Sequence, residues 1–170
     1  NRVTARVLNV ADHGVPQKPE RVFIFGFRAD QRIGWSFAGG TKTHSFDALL
    51  KDQWVSGRYW DRHRIPTRVR PAMPVRGLRC VATLQDSKKH DHLRPWTTVR
   101  NALGVLPNPV VGKIFNFQNH DHQPGVRPYP GDTGSPVALP AKALKVEDHG
   151  VLGGENMLVL LDGRLRYLTI

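Results

Sequence analysis

Arg21-Val22-Phe23-Ile24-Phe25-Gly26-Phe27 opens on a cation and then runs apolar, interrupted only by one glycine. A strand that is apolar on both faces reads as one covered by layers on both sides, as in the middle of an α/β sheet. Just upstream, residues 2–10 alternate. Val3, Ala5 and Val7 fall on one face and Arg2, Thr4 and Arg6 on the other, which is the pattern of a half-buried strand. Asp12-His13-Gly14-Val15-Pro16 breaks the alternation and connects the two. Together they predict two strands at the edge of a larger α/β sheet whose other strands lie outside this chain.

Downstream the pattern changes. Ser45 is placed to cap a short helix carrying Phe46, Leu49, Leu50 and Trp54 at helical spacing. A second short helix runs from Thr98 through Val99, Ala102 and Leu103, with Gly104 as its stop. The Arg- and Pro-rich residues 62–74 read as an extended surface connection, and the alternation of Leu78, Cys80, Ala82 and Leu84 predicts a strand over 75–84. Residues 107–140 hold much of the Pro and Gly, with 113–117 as the one regular strand. Residues 157–161 and 164–168 flank Asp162-Gly163, a two-residue hairpin signal. This half is expected to be loop-rich and mainly β, a scaffold that offers loops to a ligand.

The chain carries 25 Lys and Arg against 14 Asp and Glu, a formal charge of +11. An excess of this size attracts polyanions, and cations that neutralise phosphates release bound counterions. One cysteine, Cys80, excludes an internal disulfide and fits a reducing cytoplasm. No apolar run reaches the length of a membrane span, so no membrane partner is expected. Asn1 at one end and an unfinished strand at Ile170 suggest a chain cut from something larger.

Residues 9–28 hold Asn9-Val10-Ala11-Asp12-His13-Gly14-Val15-Pro16-Gln17, then Arg21 and the apolar strand. They resemble a segment of the DNA cytosine-5 methyltransferases in which Asn-Ala-x-x-Tyr-Gly-Val-Pro-Gln opens Gln-x-Arg-x-Arg. Thr98-Val99-Arg100-Asn101-Ala102-Leu103-Gly104 is similar to the short helix that follows in many members. Ala141-Lys142-Ala143-Leu144-Lys145, His149-Gly150-Val151 and Gly153-Gly154-Glu155-Asn156-Met157 look like the recognition-loop region of the bacterial restriction-modification type. Arg166-Tyr167-Leu168-Thr169 matches the opening of the next shared motif. The blocks occur in family order and span the chain.

The resemblance implies a parent enzyme that moves a methyl group from S-adenosylmethionine to C5 of cytosine in double-stranded DNA, as a cytoplasmic bacterial monomer. In the family a cysteine thiolate attacks C6, and fixed cationic donors stabilise the charge pushed onto the ring. Arg21 matches the last Arg of Gln-x-Arg-x-Arg, which implies a place against O2 of the flipped base, and Gln17 matches its opening Gln. Lys142 and Lys145 flank the recognition-loop position, Arg127 lies in a Gly- and Pro-rich loop, and Gly153 and Gly154 permit close backbone approach to DNA. Pro19 replaces the middle Arg, and Ala143 replaces a Thr whose hydroxyl meets a phosphate in many members. Phe-x-Gly-x-Gly, Pro-Cys and Glu-Asn-Val are absent; in the family all three lie upstream of this segment. The chain alone is therefore expected to hold no cofactor-binding residues and to catalyse nothing.

The expected architecture is α/β. Residues 1–30 end a Rossmann-like methyltransferase domain, 31–106 form a connecting segment with short helices, 107–165 form a target-recognition region, and 166–170 begin the next catalytic motif. The alternative is a stand-alone or decayed basic DNA-binding module without catalysis, favoured by Pro19 and Ala143; a natural split-enzyme subunit is a further reading.

Other motifs read as structure. Asp132-Thr133-Gly134-Ser135 spells an aspartic-protease signature, but in a single copy and after Tyr129-Pro130-Gly131. His90-Asp91-His92 and His120-Asp121-His122 have a spacing that metal ligands can use, yet sit in polar loops without a cysteine, so no metal is expected. Asp12-His13 and Asp148-His149 read as turn residues before glycine, and Cys80 as a buried core thiol. Trp54 fits a helical core face, whereas Trp60 suits either a core or a base-stacking role.

Overall fold

The structure, a computed structural model, describes residues 2–34, 42–73, 75–84, 92–112, 117, 120–127, 130–131, 133–144 and 156–168. β1 (Arg2–Asn9) and β2 (Glu20–Phe27) form an antiparallel ribbon in which Val7 faces Val22 and Leu8 faces Arg21. The connection folds as the sequence predicts. Asn9 Oδ1 accepts from the Ala11 N–H at 3.0 Å, capping a 3-10 turn over Val10–His13. Gly14 closes that turn at φ +87°, where a side chain is strained, and a Cβ there would lie 2.7 Å from the His44 ring.

The ribbon corrects one expectation. Val3, Val7, Val22 and Ile24 are all 60 % or more exposed, so within this chain β2 is not buried on both faces. Period-two pairing puts Val3, Ala5, Val7, Val22 and Ile24 on one side and Phe23, Phe25 and Phe27 on the other. The valine side is open, whereas on the other Phe25 is exposed and Phe23 and Phe27 are half-buried.

The remaining elements are short. β3 (His44–Ser45) pairs in parallel with β4 (Arg94–Pro95), and Ser45 Oγ caps α1 (Phe46–Leu50) by accepting from Ala48 N–H at 3.0 Å. A π turn over Lys51–Val55 leads to α2 (Arg58–Arg62). Residues 75–84, expected as a strand, form an α-helix instead, α3 (Val75–Leu84). Val81 and Leu84 are three residues apart and pack with Leu50, Trp54 and Met73. Of the alternating set, Leu78, Cys80 and Ala82 are exposed and only Leu84 is buried. A short apolar run satisfies both periods, and the partner decides: α1 offers a surface for a helical stripe and no strand edge. Cys80 is thus an exposed thiol, not a core one.

α4 (Val99–Leu103) follows with a capping box: Thr98 Oγ1 accepts from Asn101 N–H at 3.2 Å, and Asn101 Oδ1 accepts from Thr98 N–H at 3.0 Å. β5 (Ser135–Pro136), β6 (Met157–Val159) and β7 (Leu165–Tyr167) form a three-stranded sheet. β6 and β7 make the expected hairpin, but Leu160 pairs with Arg164, so the loop is three residues, 161–163, with Gly163 at φ +80°, and not the two-residue turn expected. The strand expected over 113–117 lies largely outside the described residues. The result is a mixed α/β fold with small sheets.

The core joins distant parts of the chain. Leu49, Tyr59, Trp60 and Ala138 form one buried cluster, with Trp54, Ile65, Trp96, Leu139 and Leu161 packed on it. Val99, Val137, Ala141 and Leu158 form a second. Trp60, left open by the sequence, is a core residue at 2 % exposure. Its Nε1 donates to the Gln53 carbonyl at 2.6 Å, and Gln53 Nε2 donates to the Ala138 carbonyl at 2.7 Å.

A polar network crosses this core. Tyr59 OH lies 2.9 Å from Thr98 Oγ1, and Asn101 Nδ2 lies 3.1 Å from His63 Nε2. Burial, reinforced by nearby Arg62 and Arg100, holds the His63 imidazole below its ordinary value of 6.5. Burial also depresses His44, with Arg94 and His13 adding to it. Each ring is easier to protonate unfolded than folded, so its stabilising effect is complete above pH 6.5 and is lost as pH falls through the depressed value. Melting temperature is expected to fall between pH 7.5 and pH 5, and to fall less steeply in His63→Gln. An identical slope in the variant would exclude His63 as a contributor.

Candidate functional site

The segment after the 3-10 turn is extended, and its free backbone groups find partners far along the chain. Gln17 forms a parallel bridge with Ala141. Ala141 N–H donates to the Pro16 carbonyl and Lys18 N–H to the Ala141 carbonyl, both at 2.9 Å. This seam sets Pro16-Gln17-Lys18 alongside Ala141-Lys142-Ala143. Two motifs that are separate in sequence therefore form one surface.

Lys142 is held at both ends. Its backbone N–H donates to Ser135 Oγ at 3.0 Å, and its Nζ donates to Thr133 Oγ1 at 2.8 Å. Ser135 is fully buried, and the preceding Gly134 packs beneath Val159 and Met157 of β6. The protease-like signature thus serves as a scaffold for Lys142; its Asp132 lies outside the described residues.

The other expected site residues divide. Arg21 is exposed on β2 opposite Leu8, and no acceptor for its guanidinium is found among the described residues. Arg127 is exposed in its loop, after Gly125 at φ +82°. Lys145, Gly153 and Gly154 lie outside the described residues, as do His90, Asp91, Asp148 and His149. Pro19 is half-buried and its carbonyl accepts from Val10 N–H at 3.3 Å, closing the loop that carries Gln17. Ala143 sits half-buried just beyond the seam.

Asp12 does more than the turn role assigned from sequence. It is 8 % exposed; its Oδ1 accepts from Trp96 Nε1 at 2.9 Å and its Oδ2 pairs with Lys42 at 2.7 Å. Thr43 N–H also donates to the Asp12 carbonyl at 3.0 Å. The carboxylate fastens the motif turn to β3 and to the strand before α4. Nothing local in sequence marks this, because both side-chain partners are more than 29 residues away.

The cations are unevenly engaged. Arg62 pairs with Asp52 at 2.6 Å, Arg70 with Asp61 at 2.8 Å and Arg164 with Asp162 at 2.7 Å. Among the described residues no three His, Cys, Asp or Glu side chains converge as a metal site would need, and His120 Nε2 donates to the Pro107 carbonyl at 2.8 Å. No helix among the described residues is long and apolar enough to cross a membrane.

Two of the clefts that open among the described residues are well defined. An apolar one of about 410 Å³ is lined by Phe46, Trp54, Trp60, Cys80 and Leu139. The other, of about 420 Å³, lies between α4 and the β6–β7 hairpin and is lined by Arg100, Arg164 and Arg166 with Leu103 and Leu161.

Residues 2–66 match the family model of the C-5 cytosine-specific DNA methylases. That match takes in the ribbon, the capped turn, Gln17 and Arg21. No curated protein and no solved structure matches the chain.

Proposed function

We propose that this chain is part of a DNA cytosine-5 methyltransferase of the bacterial restriction-modification type, and that it supplies recognition of double-stranded DNA. The family match over residues 2–66 carries the reading. The seam between Gln17 and Lys142 supports it, because it unites the base-proximal motif with the recognition-loop motif. In this reading Lys142, Lys145 and Arg127 neutralise phosphates, and Gly153 and Gly154 let the backbone approach the duplex. Arg21 meets the cytosine after it leaves the stack. Residues 1–30 then complete a Rossmann-like sheet, and a further layer would cover the apolar side chains that the ribbon exposes at Val3, Val7, Val22 and Ile24.

S-adenosylmethionine is the methyl donor this reading implies. Neither of the two clefts described above fits it. The apolar cleft presents no carboxylate for the ribose hydroxyls. The second places three guanidinium groups where a cationic sulfonium would be repelled, and its Asp162 is already held by Arg164. In this reading the nucleophile and the cofactor pocket belong to sequence other than this chain, which holds no Pro-Cys and no Phe-x-Gly-x-Gly.

The test has two arms. The protein that joins this chain to Pro-Cys and Phe-x-Gly-x-Gly sequence, given duplex DNA and labelled S-adenosylmethionine, is expected to label cytosine C5. Label on adenine, or none, would overturn the assignment. The 170-residue chain alone is expected to bind duplex weakly, with a Kd on the order of micromolar or above at physiological salt, and to weaken steeply as salt rises. Binding indifferent to salt would remove the phosphate roles given to the lysines.

A further inference from the structure

Strand alternation puts Arg164 and Arg166 on the same face of β7 and its turn, and Arg166 stands opposite Leu158 of β6. Leu158 packs on Val99 of α4, so this face of the hairpin looks toward that helix. Arg100, the next residue of α4, lines the same cleft as Arg166. The backbone fixes both walls: Arg100 N–H donates to the Val137 carbonyl at 2.9 Å, and Val137 N–H donates to the Val159 carbonyl at 2.9 Å.

The two guanidinium groups share an electrostatic anomaly. Arg100 Nε and Arg166 Nε are both buried and neither has a hydrogen-bond partner. A buried donor without an acceptor costs about 1–3 kcal/mol, and more when it is charged. Burial also pulls Arg166 below the usual arginine range, with no carboxylate to counter it. The one carboxylate on the cleft wall among the described residues, Asp162, is engaged by the Arg164 guanidinium at 2.7 Å and by the Arg164 N–H at 3.1 Å. The cleft is thus a concave site with net positive charge and unsatisfied planar donors, the arrangement that guanidinium groups use to grip tetrahedral oxyanions.

We infer that this cleft binds a phosphate group between Arg100 and Arg166, as a phosphodiester of a nucleic-acid strand or as a free phosphate-bearing ligand. The site is separate from the Gln17–Lys142 seam and does not depend on methyl transfer. An oxyanion there supplies the counter-charge that both guanidinium groups lack, beside Nε–H groups that no protein acceptor engages. Leu103 and Leu161 on the wall lower the local dielectric and strengthen the pairing.

The Nε–Hε resonances of arginine report on this directly. In the 170-residue chain, titration with inorganic phosphate is expected to shift the Arg100 and Arg166 signals together and saturably, the assignments coming from Arg100→Gln and Arg166→Gln. Titration with a short duplex is expected to move the same two signals if a nucleic-acid strand is the source. Each Gln variant should then lose about fivefold in duplex affinity near 0.15 M salt and reduce the salt slope by about one. Shifts with phosphate but not with duplex would support the site and assign it to a free phosphate-bearing ligand. If neither titrant moves either signal, the inference is overturned. The wild-type titrations stand even if a Gln variant fails to fold, and Arg166→Lys then supplies the assignment. Loss of cytosine methylation in the longer protein, with these shifts intact, would strike the proposed function and leave this site standing.

Discussion

Replacing Arg21 by alanine, in a protein that joins this chain to the nucleophile and cofactor motifs, is expected to lower methyl transfer by about 100- to 1000-fold while DNA affinity changes little. The expectation follows from where the charge arises. Thiolate addition at C6 pushes electron density onto the cytosine ring, and a donor aimed there acts in the transition state more than in the ground state. Arg21 is available for this: it is exposed, it sits on a strand paired along its whole length, and no acceptor engages it among the described residues. The measurement is single-turnover rate and duplex Kd for the same variant. If affinity collapses while turnover holds, Arg21 is a phosphate clamp and its catalytic role is wrong. Pro19→Arg is the companion experiment, since it restores a second cation. A rise in rate would mark Pro19 as a damaging replacement, whereas an unchanged fast rate would mark it as tolerated.

Trp60→Ala is expected to destabilise the chain by about 3–5 kcal/mol, the range for removing a large buried aromatic. Trp60 is 2 % exposed and meets Tyr59 edge-on at 4.9 Å and Trp54 at 5.3 Å. Its loss empties the cluster that joins α1, α2 and the loop at Ala138. Against a total of about 5–15 kcal/mol for a domain, this approaches complete unfolding at ambient temperature. Urea denaturation reads it as a fall in the midpoint. Trp60→Phe keeps most of the ring but removes the donor to Gln53, so it should cost less, mainly through the carbonyl left unpaired. A loss below about 1 kcal/mol for the alanine variant would show that the cluster does not organise this half of the chain.

Sequence by itself determined the features set within a few residues. Alternation and the apolar run placed β1 and β2, Ser45 and Thr98 announced the helices they cap, and Asp162-Gly163 marked the terminal hairpin, though not its three-residue loop. The segment from Asn9 to Arg21 was also legible, because a side-chain cap and a left-handed glycine are local requirements with few solutions. Tertiary structure decided what local chemistry leaves degenerate. Residues 75–84 satisfy both a period of two and a helical stripe, and became helical because α1 presents a surface for Val81 and Leu84. Trp60 had two plausible fates, and Gln53 with Ala138 supplied the core that chose one. The seam between Gln17 and Ala141, the anchoring of Asp12 to Trp96, and the meeting of Arg100 with Arg166 all join residues more than 60 positions apart. Such pairings depend on which backbone groups and side chains remain unsatisfied once the core has formed, and that is a property of the folded whole.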